Sequence, residues 1–320
     1  MDANRTRLFG KLTVNGTPSK GVSHVSRTLL ESGTAQTQDV VKVLSQDALA
    51  AIQVLKRANN AYYGLQGQIS SLTHAVEIVG SNSVLNLLSA DYPDSPSNVT
   101  LDVIRQHALI TAQISHRLTY GQWLWNQSSA AAGAVFTAGL VHQLGRLAIG
   151  LSFPSEARMI YRLADDYFPI EGPLRDIEQL QFGADFVEIG TFLASKLRLS
   201  KETQEVIQFH ESPDQLDPFN SSFETILTVH VASEMATSMG YGLNPQGSIL
   251  LSESTFGTRW YEEHHPGRIL DVFTESFDHI VPASTFEHAE EKLKFALDRP
   301  SKPLDQFQRA TDGYQTAIKE

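Results

Sequence analysis

Four of the eleven histidines sit inside strongly apolar stretches, and they are the first candidates for chemistry. His107 lies among Ile104, Ala108 and Ile110. His142 lies in Ala138-Gly-Leu-Val-His142-Gln143-Leu-Gly145-Arg146-Leu147. His210 closes Val206-Ile-Gln-Phe209-His210-Glu211, and His230 sits in Leu227-Thr-Val-His230-Val-Ala-Ser233. An imidazole buried in such surroundings needs a polar partner. Two readings stay open: a core histidine satisfied by one hydrogen bond, or a metal or phosphate site assembled from several helices, as helical bundles build them. The run Glu262-Glu-His264-His265-Pro266 has the right residue types for a metal cluster. Adjacent side chains on a helix point apart, however, so it reads as a solvated turn. Other chemistry is excluded more simply. With no cysteine there is no thiol nucleophile, no disulfide framework and no Cys-ligated zinc or iron–sulfur site. Phosphate-cradling glycine loops and the Gly-x-Ser-x-Gly nucleophile elbow are missing as well.

The elements that must position these histidines are helical. Val40, Val41, Val43, Leu44 and Ala48 repeat at three and four residues. Asp47 is placed to cap the next helix, whose Leu49, Ile52, Leu55 and Ala58 face inward, and Gly64 stops the chain after Tyr62-Tyr63. Ser70-Ser71 opens a helix that Gly80 closes. Asp91 to Asn98, with Pro93 and Pro96, reads as a linker. Long helices follow at about 101–120 and 130–151, the second expected to be buried. Shorter ones are expected at 154–166, 173–182, 186–197, 200–211 (capped by Ser200) and 223–239, weaker ones to 279, and a last at 289–297. Sustained strand alternation is lacking, so the fold class is all-α, in two helical parts. Trp123, Trp125 and Trp260 serve equally as an exposed patch or as the buried underside of a loop.

The net charge of −11 on 320 residues is unevenly spread. Residues 202–291 carry two basic against sixteen acidic side chains, a net of −14, while 1–201 and 292–320 are close to neutral. Such a segment repels polyanions, which argues against a nucleic-acid or anionic-membrane partner and for a basic one. No apolar leader or 18-residue uninterrupted apolar run is present, so a cytoplasmic location is expected.

Several stretches, taken together, carry a family resemblance. They are Leu44-Ser-Gln-Asp47 through Arg57-Ala-Asn59-Asn60-Ala-Tyr62-Tyr63-Gly64, then Ile69-Ser-Ser71-Leu and Ala75-Val-Glu-Ile-Val-Gly80. Ala138-Gly-Leu-Val-His142-Gln143, Gly183-Ala-Asp185-Phe186 and Val206 to Glu211 follow in order. The chain resembles the HDOD domain family over about residues 20–245. That family is an HD-related output domain of bacterial signalling proteins. The resemblance implies an N-terminal helical subunit, 20–92, with linker 91–98, packed on an HD-like helical subunit, 99–280. A lead, 1–19, precedes this 20–280 domain, and a C-terminal helix and tail, 281–320, follow it.

The resemblance also implies where a phosphohydrolase of the HD superfamily would hold metal. His107 falls on the first His position and His142 on the His of the His-Asp doublet. Gln143 stands where the Asp should be, and Phe186 where related cyclic-dinucleotide phosphodiesterases carry a His. His210 keeps one of a pair, Glu211 replaces the second, and Ser233 stands near the final Asp. A two-metal hydrolase needs several anionic oxygens. The expectation is therefore a vestigial site and no enzyme. No metal or cofactor is expected, and the chain is expected to act as a regulator on a protein partner in a signalling pathway or on a small nucleotide ligand. The alternative is a metal-dependent HD-type phosphohydrolase with a reduced ligand set, completed by Glu211 or Glu188.

Overall fold

Side-chain caps set where the helices begin. Asp47 is extended and accepts from the backbone N–H groups of Leu49 and Ala50, starting α4 (Ala48–Ala58). Ser71 does the same for α5 (Leu72–Val79) and Ser200 for α13 (Lys201–Phe209), each oxygen satisfying a donor that the first helical turn leaves unpaired. The computed structural model describes residues 3–89, 99–119, 129–167, 172–217, 219–243, 256–265, 267–269 and 271–272. Among these the chain is helical with no strand.

The N-terminal part is α1 (Ala3–Lys11), α2 (Lys20–Ser32), α3 (Thr37–Leu44), α4, α5 and α6 (Ser81–Leu88). Residues 48–52 of α4 are all buried, because α4 is enclosed by its neighbours. Between α4 and α5 runs the stretch richest in family character, and Asn59 explains its composition. Its buried amide donates to the carbonyls of Leu55 and Ile69 and accepts from the Ile69 N–H, which closes the Asn60–Gln68 loop. Asn60 caps the short turn that follows, and Gly64 ends it at φ 69°, a left-handed conformation that a Cβ would strain. Tyr62 is left 87% exposed on this loop.

The second part is α7 (Val99–Thr119), α8 (Ser129–Val141), α9 (Leu144–Ser152), α10 (Pro154–Tyr167), α11 (Gly172–Phe182), α12 (Phe186–Lys196), α13, α14 (Phe223–Ser238) and α15 (Phe256–His264). The segment expected as one helix over 130–151 is two, α8 and α9, broken at His142–Gln143. Residues 131–152 are long and apolar enough to cross a membrane, and 89% of that window is buried inside the protein. Helix α9 crosses α12 at Gly145 and Gly190, with no side chain between them. A Cβ built on Gly145 would lie 1.9 Å from the Phe186 carbonyl oxygen.

One hydrophobic core runs through both parts, from Leu49 and Val76 to Leu147 and Ile189. A smaller core joins α7, α14 and α15 through Ile114, Leu227, Met235 and Tyr261. Residues 3–19, read as a lead, contribute Leu8, Phe9, Leu12 and Val14 to the main core, with Phe9 packed 4.5 Å from Phe192 of α12. Polar ties join the parts too. Asp47 Oδ2 accepts from the Ser19 N–H and lies 3.8 Å from Arg105 of α7, and Arg105 donates to the Thr17 carbonyl. The linker 91–98, Trp123, Trp125, the Trp260 side chain and everything from 273 on, including the expected helix 289–297, lie outside the described residues.

Candidate functional site

The α8–α9 break turns His142 inward. Its Nδ1 donates to the Gly139 carbonyl at 2.6 Å, which leaves the lone pair on Nε2, and Gln143 Nε2 donates to that atom at 3.1 Å. His107, from the middle of α7, repeats the arrangement. Its Nδ1 donates to the Tyr241 carbonyl at 2.8 Å and its Nε2 accepts from the Ser233 hydroxyl of α14 at 3.1 Å. His210, capping α13, donates from Nδ1 to the Val206 carbonyl, and its Nε2 lies 3.5 Å from Glu211 Oε1. The His142 ring stands between the other two, with centroids 5.3 Å from His107 and 5.0 Å from His210. The Phe186 ring is 5.8 Å from His210.

All seven positions singled out in the sequence therefore meet at one place. Glu188 does not: it pairs with Arg5 at the surface. His230 lies behind the site, where its Nδ1 donates to the His210 carbonyl and its Nε2 lies 3.4 Å from Glu234.

Two charged residues complete the site without having been singled out. Arg146 of α9 is 4% exposed and Glu178 of α11 is fully buried. The Arg146 guanidinium carbon lies 3.8 Å over the Phe186 ring, its Nε donates to Glu178 Oε1 at 3.0 Å, and its Nη1 makes a long 3.4 Å hydrogen bond to Gln143 Oε1. Glu178 also accepts from the Tyr161 hydroxyl and the Phe186 N–H. The signal for Arg146 was present, since a lone charge in an apolar helix must be paired. Nothing in the sequence pointed to a partner 32 residues away. A cavity of about 20 Å³, the size of one water, remains between Ile104, His107, Gln143, Arg146 and Thr237.

Burial governs the electrostatics. It lowers His107 to about 4, against the opposing hydrogen bond to Tyr241, and holds His142 well below its ordinary value. Burial pushes the Glu211 carboxyl up, but the neighbouring His210, Arg146 and Arg175 outweigh it and hold the group below the usual carboxylate range. Glu178 is raised by burial in spite of Arg146.

A pH dependence of stability follows. Below about pH 6.5 the unfolded chain protonates imidazoles that the folded chain keeps neutral, His107 down to about 4. Stability is therefore complete above 6.5 and falls as pH drops, by up to about 1.4 kcal/mol per pH unit for each such histidine. Urea midpoints between pH 7.5 and 5 measure the slope, which the raised Glu178 opposes. Half-buried His116 and His265, also lowered by burial, add smaller contributions. His107→Gln is expected to flatten the slope, and an unchanged slope would contradict the assignment.

Metal is the group the resemblance implies, and the donor set does not fit it. The Nε2 atoms of His107 and His142 are closed by neutral donors, Ser233 and Gln143, and Phe186 offers no lone pair. Among the described residues no three His, Asp or Glu side chains are placed to hold an ion.

Comparison with known proteins adds the family. The model of the HDOD domain matches residues 18–213. An uncharacterized protein of Treponema pallidum (strain Nichols) is 24% identical over 199 residues, which are 60% of this chain but 38% of that protein. Among solved structures, a virulence factor from Campylobacter jejuni subsp. jejuni superposes with a TM-score of 0.59 at 15% identity, over 82% of this chain and 99% of its own. The MmoQ response regulator from Methylococcus capsulatus str. Bath gives 0.58 at 18% identity, over 73% and 94%. At these identities the likeness is one of fold. Ser233, Thr237 and the Tyr241 carbonyl, which line or close the site, lie beyond the matched residues.

Proposed function

The chain belongs to the HDOD family, and from that premise we propose that it is a non-catalytic regulator, acting in the cytoplasm by binding a protein partner or a small ligand. The observation that supports this reading is the closure of the two central imidazoles by neutral hydrogen bonds, Ser233 to His107 and Gln143 to His142. Metal-assisted phosphoester hydrolysis needs anionic oxygens that hold ions and activate water. Here an amide and a hydroxyl stand in those places.

The partner we expect is basic. Residues 202–291 carry sixteen acidic against two basic side chains, and Asp214 and Asp217 are exposed just after α13. Complementary charge speeds encounter and selects partners more than it adds affinity.

The test is a panel of phosphomonoesters, phosphodiesters and cyclic dinucleotides, assayed with Mn2+ or Mg2+ beside a His142→Ala control. Wild type and control are expected to be indistinguishable. Turnover by wild type that His142→Ala abolishes would overturn the reading in favour of a phosphohydrolase with a reduced ligand set. Glu211, held ionised beside His210, would then be its first ligand to examine.

A further inference from the structure

We infer that a cleft between the head of α5 and the starts of α8, α13 and α14 is a binding site for a small organic cation, an alkylammonium or alkylguanidinium group whose charged end meets the Glu224 carboxylate. This deepens the reading above, which leaves the ligand's chemistry open, and rests on it for a binding role.

The cleft has a volume of about 350 Å³, within the range of sites that take small organic molecules. Its walls come from both helical parts. The Leu72 N–H donates to Thr137 Oγ1 at 3.2 Å, which seats the head of α5, with Ser70, on α8. Thr225 Oγ1 donates to Glu202 Oε1 at 2.7 Å and ties α14 to α13 at the cleft. The place is distinct from the imidazole cluster. Eight residues further along the chain from Ala134, Glu202 and Thr225 stand His142, His210 and Ser233. The cleft therefore lies about 12 Å from that cluster, along the same three helices.

Its lining defines the ligand. Ala131, Ala134 and Val135 of α8 offer an apolar wall, while Glu202 and Glu224 supply carboxylates. No basic side chain is among the described residues that line it. The two acids differ in how they are satisfied. Both stand in the first turn of their helices, where an acid offsets the helix dipole. Glu202 also holds the Thr225 hydroxyl, but Glu224 has no hydrogen-bond or ion-pair partner among the described residues. Its carboxyl is partly withdrawn from water, and burial raises it with nothing opposing. Dipole compensation needs neither burial nor a cleft, and Glu224 has both. A desolvated carboxylate beside an apolar wall is matched by a cation on an alkyl stem, which satisfies the charge and covers the wall together. The acidic excess of residues 202–291 draws such a cation in and turns anions away.

Isothermal titration of the full chain at physiological salt tests this, with agmatine, butanol, inorganic phosphate and a blocked arginine-rich peptide as probes. Agmatine is expected to bind saturably at one site, and butanol and phosphate are not. Glu224→Gln keeps the shape and removes the charge. Ala131→Leu narrows the cleft and leaves the charge. Each is expected to weaken agmatine at least about tenfold. Asp214→Asn removes the same charge from an exposed position outside the cleft, and is expected to change binding less than about twofold. Circular dichroism checks folding, and if Ala131→Leu fails to fold, Glu224→Gln decides alone.

The peptide identifies the source of the cation. A peptide that displaces agmatine, and loses its hold in Glu224→Gln, assigns the cleft to a partner's side chain. Agmatine bound without competition assigns it to a free amine. No binding of either, binding that Glu224→Gln leaves unchanged, or phosphate bound in place of agmatine would overturn the inference and leave the non-catalytic reading intact. Metal-dependent turnover that His142→Ala abolishes would instead overturn that reading.

Discussion

Gly145→Ala is expected to destabilise the protein by about 3–5 kcal/mol, a large part of the stability of an ordinary domain. The new Cβ would lie 1.9 Å from the Phe186 carbonyl oxygen, 2.7 Å from its carbonyl carbon and 2.9 Å from the Gly190 nitrogen. All three are backbone atoms, so no side chain can turn away to relieve the clash. Helices α9 and α12 must separate instead. Because α9 carries Arg146 and α12 begins with Phe186, separation also lifts the guanidinium off the ring. Gly133→Ala is the control. Its Cβ would meet only Ser71 Cβ, at 3.8 Å, an ordinary contact. That change replaces a poor helix former in α8 and is expected to be neutral or to stabilise by up to about 1 kcal/mol. Urea unfolding followed by circular dichroism compares the two, and a Gly145→Ala midpoint near wild type would refute the crossing geometry.

Arg146→Met should have a comparable effect for an electrostatic reason. The variant leaves Glu178, with no exposed surface, without its cation. Breaking a buried pair from one side typically costs about 3–5 kcal/mol, because the remaining charge is stranded. A carboxylate so placed escapes by taking a proton, and burial already raises Glu178 in the intact protein. With its folded-state value above the unfolded one, the folded chain binds more protons, and stability falls as pH rises through that interval. The deficit of Arg146→Met is therefore expected to be largest at neutral to alkaline pH and to shrink towards pH 5. Glu178→Gln in the same chain should recover most of it. A deficit that neither pH nor Glu178→Gln changes would point to lost packing on Phe186 instead.

The sequence revealed much of the fold because helix starts and stops are local events. Asp47, Ser71 and Ser200 cap as their types and positions suggest, and the apolar periodicity marks α3 and α4, whereas α14 is buried all round. The break at His142–Gln143 was hidden, since the residues on both sides are apolar and helix-forming. It comes from tertiary contact, the imidazole turning in against His107 and His210. The seven site positions could be named through the family resemblance, and they converge. What they do there was not legible. The pairing of Arg146 with Glu178 spans the whole of α10 and leaves no periodic trace. The Tyr241 carbonyl that holds His107 is a backbone atom, for which side-chain types give no signal. Residues 3–11 carry no amphipathic pattern long enough to mark them as part of the core. Their helix, of nine residues, owes its stability to docking through Leu8 and Phe9.

The Asp47 carboxylate has a consequence for communication. One oxygen caps α4 in the N-terminal part, while the other binds the Ser19 N–H and faces Arg105 of α7 in the second part. The two helical parts share a single charge, as well as a single apolar core. By thermodynamic reciprocity, an event in one part that alters the free energy of this junction must be felt to the same degree in the other. A partner gripping the exposed Tyr62 loop beyond α4 and a change beside His107 on α7 would then be two ends of one linkage relation, with Asp47 and Arg105 as the shared term.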